Sequence, residues 1–111
     1  HVLDTTHGRP AAGLRLTLAR LRGGFATPLV EAVTNADGRC DAPLLAGTDL
    51  TAGVYEIAFH VGDYFRSLGT AGDEPAFLDV VPVRFGIADP ASPYHVPLLV
   101  SPYGYSTYRG S

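Results

Sequence analysis

The sequence predicts an all-β domain, a two-sheet sandwich with one short helix, and three observations carry that prediction. Gly and Pro, 13 and 9 in 111 residues, are spread along the chain and punctuate short apolar runs. Those runs alternate with a period of two instead of following helical spacing. Only the stretch 62–69 breaks that period in favour of a helix. Seven or eight short strands and one helix, in a chain of this size, suit two packed sheets. A chain of 111 residues supports a single hydrophobic core, so residues 1–111 are read as one domain.

The elements follow in order. Residues 14–21 alternate as Leu14, Leu16 and Leu18, then Leu21 after one slip, the pattern of a half-buried strand. Residues 29–34 form another, closed by Asn35-Ala36-Asp37-Gly38, a turn whose glycine accepts positive φ at little cost. In residues 54–61, Tyr55, Ile57, Phe59 and Val61 make one apolar face. Val54, Glu56, Ala58 and His60 make the other, which puts His60 toward solvent. Residues 62–69 read as a helix of about two turns, with Asp63 as a candidate N-terminal cap. Residues 70–75 are a polar loop, 80–87 and 94–100 are strands, and 105–109 is a last, edge-like strand.

Composition removes several classes of function. The chain is 46% hydrophobic and 17% charged, as an ordinary globular protein is. A net charge of −3 offers no basic footprint for nucleic acid. No run of about 18 apolar residues is present to span a membrane. The single cysteine, Cys40, has no partner for an internal disulfide. The four histidines, His1, His7, His60 and His95, show no closely spaced pair, and a metal site is not expected.

His95 stands out among them. Tyr94, Val96, Leu98 and Val100 share one strand face and His95, Pro97 and Leu99 the other, so the strand reads as buried on both sides. A histidine there is either a hydrogen-bonded structural residue or a titrating group in a dry site. The chain then ends on Tyr103, Tyr105 and Tyr108 among small residues. Tails usually fray; an aromatic one reads as packed, either as a subunit contact or as part of a binding site.

Three stretches together resemble the transthyretin-like family, and within it the hydroxyisourate hydrolases. The first is His1-Val2-Leu3-Asp4 with Gly8-Arg9-Pro10-Ala11. The second runs from Gly53-Val54-Tyr55 through Phe59 to Gly62-Asp63-Tyr64-Phe65. The third is Tyr94-His95-Val96-Pro97-Leu98-Leu99 followed by the ending Tyr108-Arg109-Gly110-Ser111, the most specific of the three. The likeness covers essentially the whole chain. It departs in the stretch 69–77, which is longer than usual, and in Leu78-Asp79, which replaces a common aromatic-Pro pair.

The resemblance implies a transthyretin-like sandwich that opens a purine-derived lactam with water. It carries catalytic roles onto His1, Arg39 and His95, and substrate contacts onto Tyr108, Arg109, Gly110 and Ser111. No family histidine matches His7 or His60. A histidine, with His95 as the working choice, would act as general base; the sequence does not decide between it and His1. Arg39 would hold the anionic substrate. No metal or organic cofactor is implied. The family further implies a homotetramer, a dimer of dimers with sites at the dimer–dimer interface, and a small-molecule substrate. A cytoplasmic location is expected, although no residue of the sequence marks the compartment. The rival reading is a carrier of small hydrophobic ligands on the same fold.

Overall fold

The computed structural model describes residues 1–70 and 72–110. Its strands are β1 (Val2–Asp4), β2 (Arg9–Pro10), β3 (Arg15–Arg22), β4 (Phe25–Val33), β5 (Gly53–His60), β6 (Val80–Ile87), β7 (Leu98–Ser101) and β8 (Gly104–Thr107). The α-helix, α1 (Val61–Ser67), follows β5 directly, and a single 3₁₀ turn lies at Gly47–Asp49. One sheet has the order β2-β1-β7-β8 and the other β4-β3-β5-β6, the expected two-layer sandwich. All neighbours pair antiparallel except β1 and β7, which run parallel with Val2 opposite Leu98.

The period-two runs turn their apolar faces inward. Leu16 and Leu18 of β3, Tyr55, Ile57 and Phe59 of β5, and Val81 and Val83 of β6 are buried on one layer; Val2, Leu98 and Val100 are buried on the other. Removing this surface from water is the main force holding the layers together. His60 lies half-buried on the opposite side of β5, as its place in the alternation requires.

Several boundaries differ from the sequence reading, each for a local reason. β4 starts at Phe25 instead of residue 29, because Pro28 sits at a register shift on an edge strand, where a missing N–H is tolerated. The hairpin before it turns on Gly23 and Gly24, with φ of 54° and 84°. The expected strand 94–100 is a ladder only from Leu98, since Pro93 and Pro97 cannot donate to one. Upstream of them, His95 makes an isolated bridge to Gly110, beyond the end of β8. Helix α1 has His60 at its N-cap with no side-chain cap bond, and Asp63, the candidate cap, lies in its first turn and pairs with Arg66 at 2.6 Å.

His7, which the family pattern does not explain, closes off the end of β1. The Asp4 carboxylate is buried and accepts hydrogen bonds from Tyr64 Oη at 2.7 Å and from the amides of Thr6 and His7, both at 3.0 Å. His7 Nδ1 lies 2.6 Å from Asp4 Oδ2, the oxygen that Tyr64 Oη also bonds, while the two amides share Oδ1. Burial opposes ionisation of Asp4, but the bonds from His7 and Tyr64 outweigh it and hold the carboxyl below its ordinary range. The Tyr64 phenol, buried and bonded to that carboxylate, is pushed up to about 12.

A stability prediction follows. Tyr64→Phe removes one donor from a buried carboxylate and should cost about 1.5–3 kcal/mol, the range for hydrogen bonds to charged groups. A carboxyl whose folded pKa is depressed stabilises the fold above its unfolded value of about 3.9, and that contribution fades as pH falls through the folded pKa. The gap between variant and wild type should therefore be full at neutral pH and shrink in acid. Denaturant melts at pH 7 and below pH 4 check it.

Candidate active site

Three segments meet at one end of the sandwich. His1 leads into β1, and its carbonyl accepts a hydrogen bond from Leu98 N at 2.9 Å, which fastens it to the start of β7. His95 precedes β7 and is held by the backbone of Gly110, whose amide donates to His95 O at 2.8 Å. The two imidazole rings stack, with centroids 6.0 Å apart and planes inclined by 17°. Arg39 follows the Asn35–Gly38 turn, and that turn is fixed to β1 by Val2 N donating to Gly38 O at 2.8 Å.

His1, Arg39 and His95 line a single cavity of about 520 Å³, joined by Cys40, Asp41 and Tyr94. Its depth is apolar, formed by inward residues such as Leu16, Phe59 and Phe85, with Leu44, Leu45 and Leu50 of the β4–β5 connection over it. A polar mouth on an apolar floor is the usual form of a small-molecule site.

Electrostatics differentiate the groups. His95 Nε2 is buried and has no hydrogen-bond partner among the described residues. Burial pushes the His95 pKa below its usual value, and the Arg39 charge lowers it further. The imidazole is therefore neutral at pH 7, with a ring nitrogen free to accept a proton. Arg39 is exposed, and its guanidinium has no carboxylate partner among the described residues. Burial raises the Cys40 thiol pKa, so it stays protonated and inert.

The tail residues are placed differently from one another. Gly110 packs on His95: a Cβ at this position would overlap the ring, 2.8 Å from Cγ and 3.0 Å from Cε1. Arg109 does not line the cavity; its guanidinium lies 4.1 Å over the Tyr94 ring and donates to Pro93 O at 3.2 Å. That stack braces the segment carrying His95, as does Tyr94 Oη, which accepts from the amides of Ala88 and Asp89 at 3.0 and 3.2 Å. Tyr108 is 58% exposed and outside the cavity. Ser111 lies outside the described residues. His7 and His60 are not in the cavity. Sequence reasoning missed Cys40 and the bracing role of Tyr94; for Tyr94, adjacency to His95 on a proline-flanked segment was the available signal.

A profile of the HIUase/Transthyretin family matches residues 1–110. The chain belongs to that family. The chain is 64% identical over 111 residues to the 5-hydroxyisourate hydrolase of Mesorhizobium japonicum, covering all of this chain and 89% of that one. It is similar to the structure of Klebsiella pneumoniae 5-hydroxyisourate hydrolase at 35% identity and a TM-score of 0.82, covering 100% of this chain and 94% of that chain. It is also similar to sea bream transthyretin, solved in complex with thyroxine, at 28% identity and a TM-score of 0.83, over 98% and 90% of the two chains. The two structural likenesses are nearly the same in fold, so backbone shape alone does not separate the hydrolase from the thyroxine complex; the side chains in the cavity must.

Arg39→Lys tests one of them. The variant keeps the charge but loses the planar, forked donors, so kcat/KM for an anionic substrate should fall by about tenfold or more. The acid limb of the pH profile should stay in place, because the charge near His95 is retained. Steady-state kinetics across pH measure both.

Proposed function

We propose that this chain hydrolyses 5-hydroxyisourate to 2-oxo-4-hydroxy-4-carboxy-5-ureidoimidazoline, a step in urate degradation. The observation that carries the reading is the stacked His1–His95 pair in one cavity with Arg39, where, among the described residues, His95 Nε2 has no hydrogen-bond partner and the Arg39 guanidinium no carboxylate partner. The high identity to a 5-hydroxyisourate hydrolase over the whole chain supports it.

In this mechanism water adds to the carbonyl of the six-membered ring while His95 takes its proton as general base. The carbonyl oxygen becomes an oxyanion, held with the urate-like anion by the planar donors of Arg39. The ring C–N bond then breaks, the imidazolium returns its proton to the departing nitrogen, and a carboxylic acid is left on carbon. His1, parallel to His95, positions the base and the water. Tyr108, Arg109, Gly110 and Ser111 complete the site, Gly110 through its fit to His95.

The exposed edges of β8 and β6, and the outward position of Tyr108, fit assembly as a homotetramer, a dimer of dimers whose interface closes the site. Residues 1–111 act as one domain with a small-molecule substrate. No α-helix among the described residues is long and apolar enough to cross a membrane, and we place the protein in the cytoplasm.

The test is turnover of freshly generated 5-hydroxyisourate, followed by loss of its ultraviolet absorbance over the spontaneous rate. Absence of acceleration, with tight binding of an apolar ligand in its place, would turn the assignment to a carrier. Light scattering alongside gives the subunit count.

A further inference from the structure

Arg39 sits on a turn, where a long cationic side chain has little to hold it, yet its backbone is gripped from both sides by one residue. Asn35 Oδ1 accepts hydrogen bonds from Asp37 N at 2.9 Å and from Arg39 N at 3.2 Å. The Asn35 amide donates to Arg39 O at 2.8 Å, and Gly38 N donates back to Asn35 O at 2.9 Å. Asn35 Nδ2 donates to Asp41 Oδ1 at 2.9 Å, which tethers the chain on the far side of Arg39 and Cys40. An asparagine side chain suits this because it supplies acceptor and donors on one short, rigid group.

The turn is in turn seated on the strand that carries His1. Gly38 has φ of 74°, a conformation other L-residues rarely adopt, and a Cβ there would strike Val2 O and come within 3.1 Å of Pro10 Cβ. Only a glycine permits this approach, and Gly38 O is what Val2 N donates to. The backbone at Arg39 is thus referenced to β1 through Gly38 and held in direction by Asn35.

We infer that Asn35 is a positioning residue for hydrolysis: it clamps both backbone polar groups of Arg39 and Asp41 beyond it, and so aims the Arg39 guanidinium into the cavity beside His95. The inference rests on the reading of Arg39 as the group that holds the anionic substrate. Asn35 touches no reacting atom and acts only through Arg39. Misplacing a site group by about 1 Å can cost a hundredfold in rate, so the clamp has kinetic consequence beyond its contribution to the fold.

The experiment is a double-mutant cycle on hydrolysis with Asn35→Ala, Arg39→Ala and the double variant, with thermal melts of each. Asn35→Ala should lower kcat/KM by about tenfold to a hundredfold. In the Arg39→Ala background the same change should alter it less than about threefold, since the group being aimed is already gone. Asn35→Asp keeps the acceptor for Asp37 N and Arg39 N while placing its charge against Asp41, so it should retain more activity than Asn35→Ala; it also serves as the probe should the alanine variant fail to fold. Equal losses in both backgrounds, or an aspartate variant no better than alanine, would overturn the positioning role. Full activity of Arg39→Ala would sink it together with the reading of Arg39, whereas absence of turnover in the wild type would strike the proposed reaction itself.

Discussion

Replacing His95 by alanine should lower kcat by about 10²–10⁴, the usual worth of general acid–base catalysis, while the chain stays folded. Folding should survive because His95 contributes no side-chain hydrogen bond among the described residues; its hold on Gly110 is through the backbone. The loss should fall on kcat more than on KM if the imidazole acts on the water and not on the bound anion. Its pH dependence has a definite sign. Hydrolysis needs the neutral ring, and burial with the Arg39 charge lowers the His95 pKa from its ordinary value. Activity should therefore hold at neutral pH, and its acid limb should lie below that of an unperturbed imidazole. Stopped-flow kinetics from pH 5 to 8 measure this; a His95→Ala variant with wild-type turnover removes the residue from the mechanism.

The second large effect is expected at Gly110. Alanine adds one methyl group, which would normally be felt by a few tenths of a kcal/mol on a surface strand. Here it meets the imidazole of His95, within 2.8 Å of Cγ and 3.0 Å of Cε1. The backbone at Gly110 is not among those at positive φ, so the conflict is with the ring and not with the chain's own conformation. The bridge between the two residues holds the ring against the new methyl group, and the ring must turn or shift to escape it. Hydrolysis should drop by about a hundredfold or more with little change in melting temperature. An active Gly110→Ala protein would show that the ring is not needed where it stands. A variant that is both inactive and unfolded would instead make Gly110 a folding residue.

How far the sequence could be read depended on whether the signal was local. β5 and β6 were legible because large apolar residues, Tyr55, Ile57 and Phe59 or Val81 and Val83, recur at every second position and the sheet buries that side more deeply. The early part of β4 was not, because Phe25, Ala26 and Thr27 all face water on an edge strand and the proline after them argues against a strand. His95 stood out by its place on a strand apolar on both faces, whereas its catalytic role and Arg39 came from the family likeness; their meeting in one cavity depends on pairings between distant segments that no spacing reveals. Gly110 was carried over as a substrate contact, and the reason for its glycine, a missing Cβ against His95, exists only in three dimensions. Asn35 read as a turn residue, which it is; that its side chain spans Arg39 to Asp41 is a matter of bond direction.

The parallel pairing of β1 with β7 has a consequence for when this protein becomes active. Val2 lies opposite Leu98 and His1 stacks on His95, so the cavity joins segments separated by most of the chain. Contacts of such sequence separation form late and slowly, because the loop entropy must be lost before they stabilise anything. During synthesis His1, Arg39 and the strands of the sheet β4-β3-β5-β6 emerge before His95 and Gly110. A nascent chain can therefore be largely ordered in that sheet and still be catalytically silent. Gain of turnover during refolding should lag behind burial of β3, β5 and β6, and the appearance of activity then marks the last pairing step of folding.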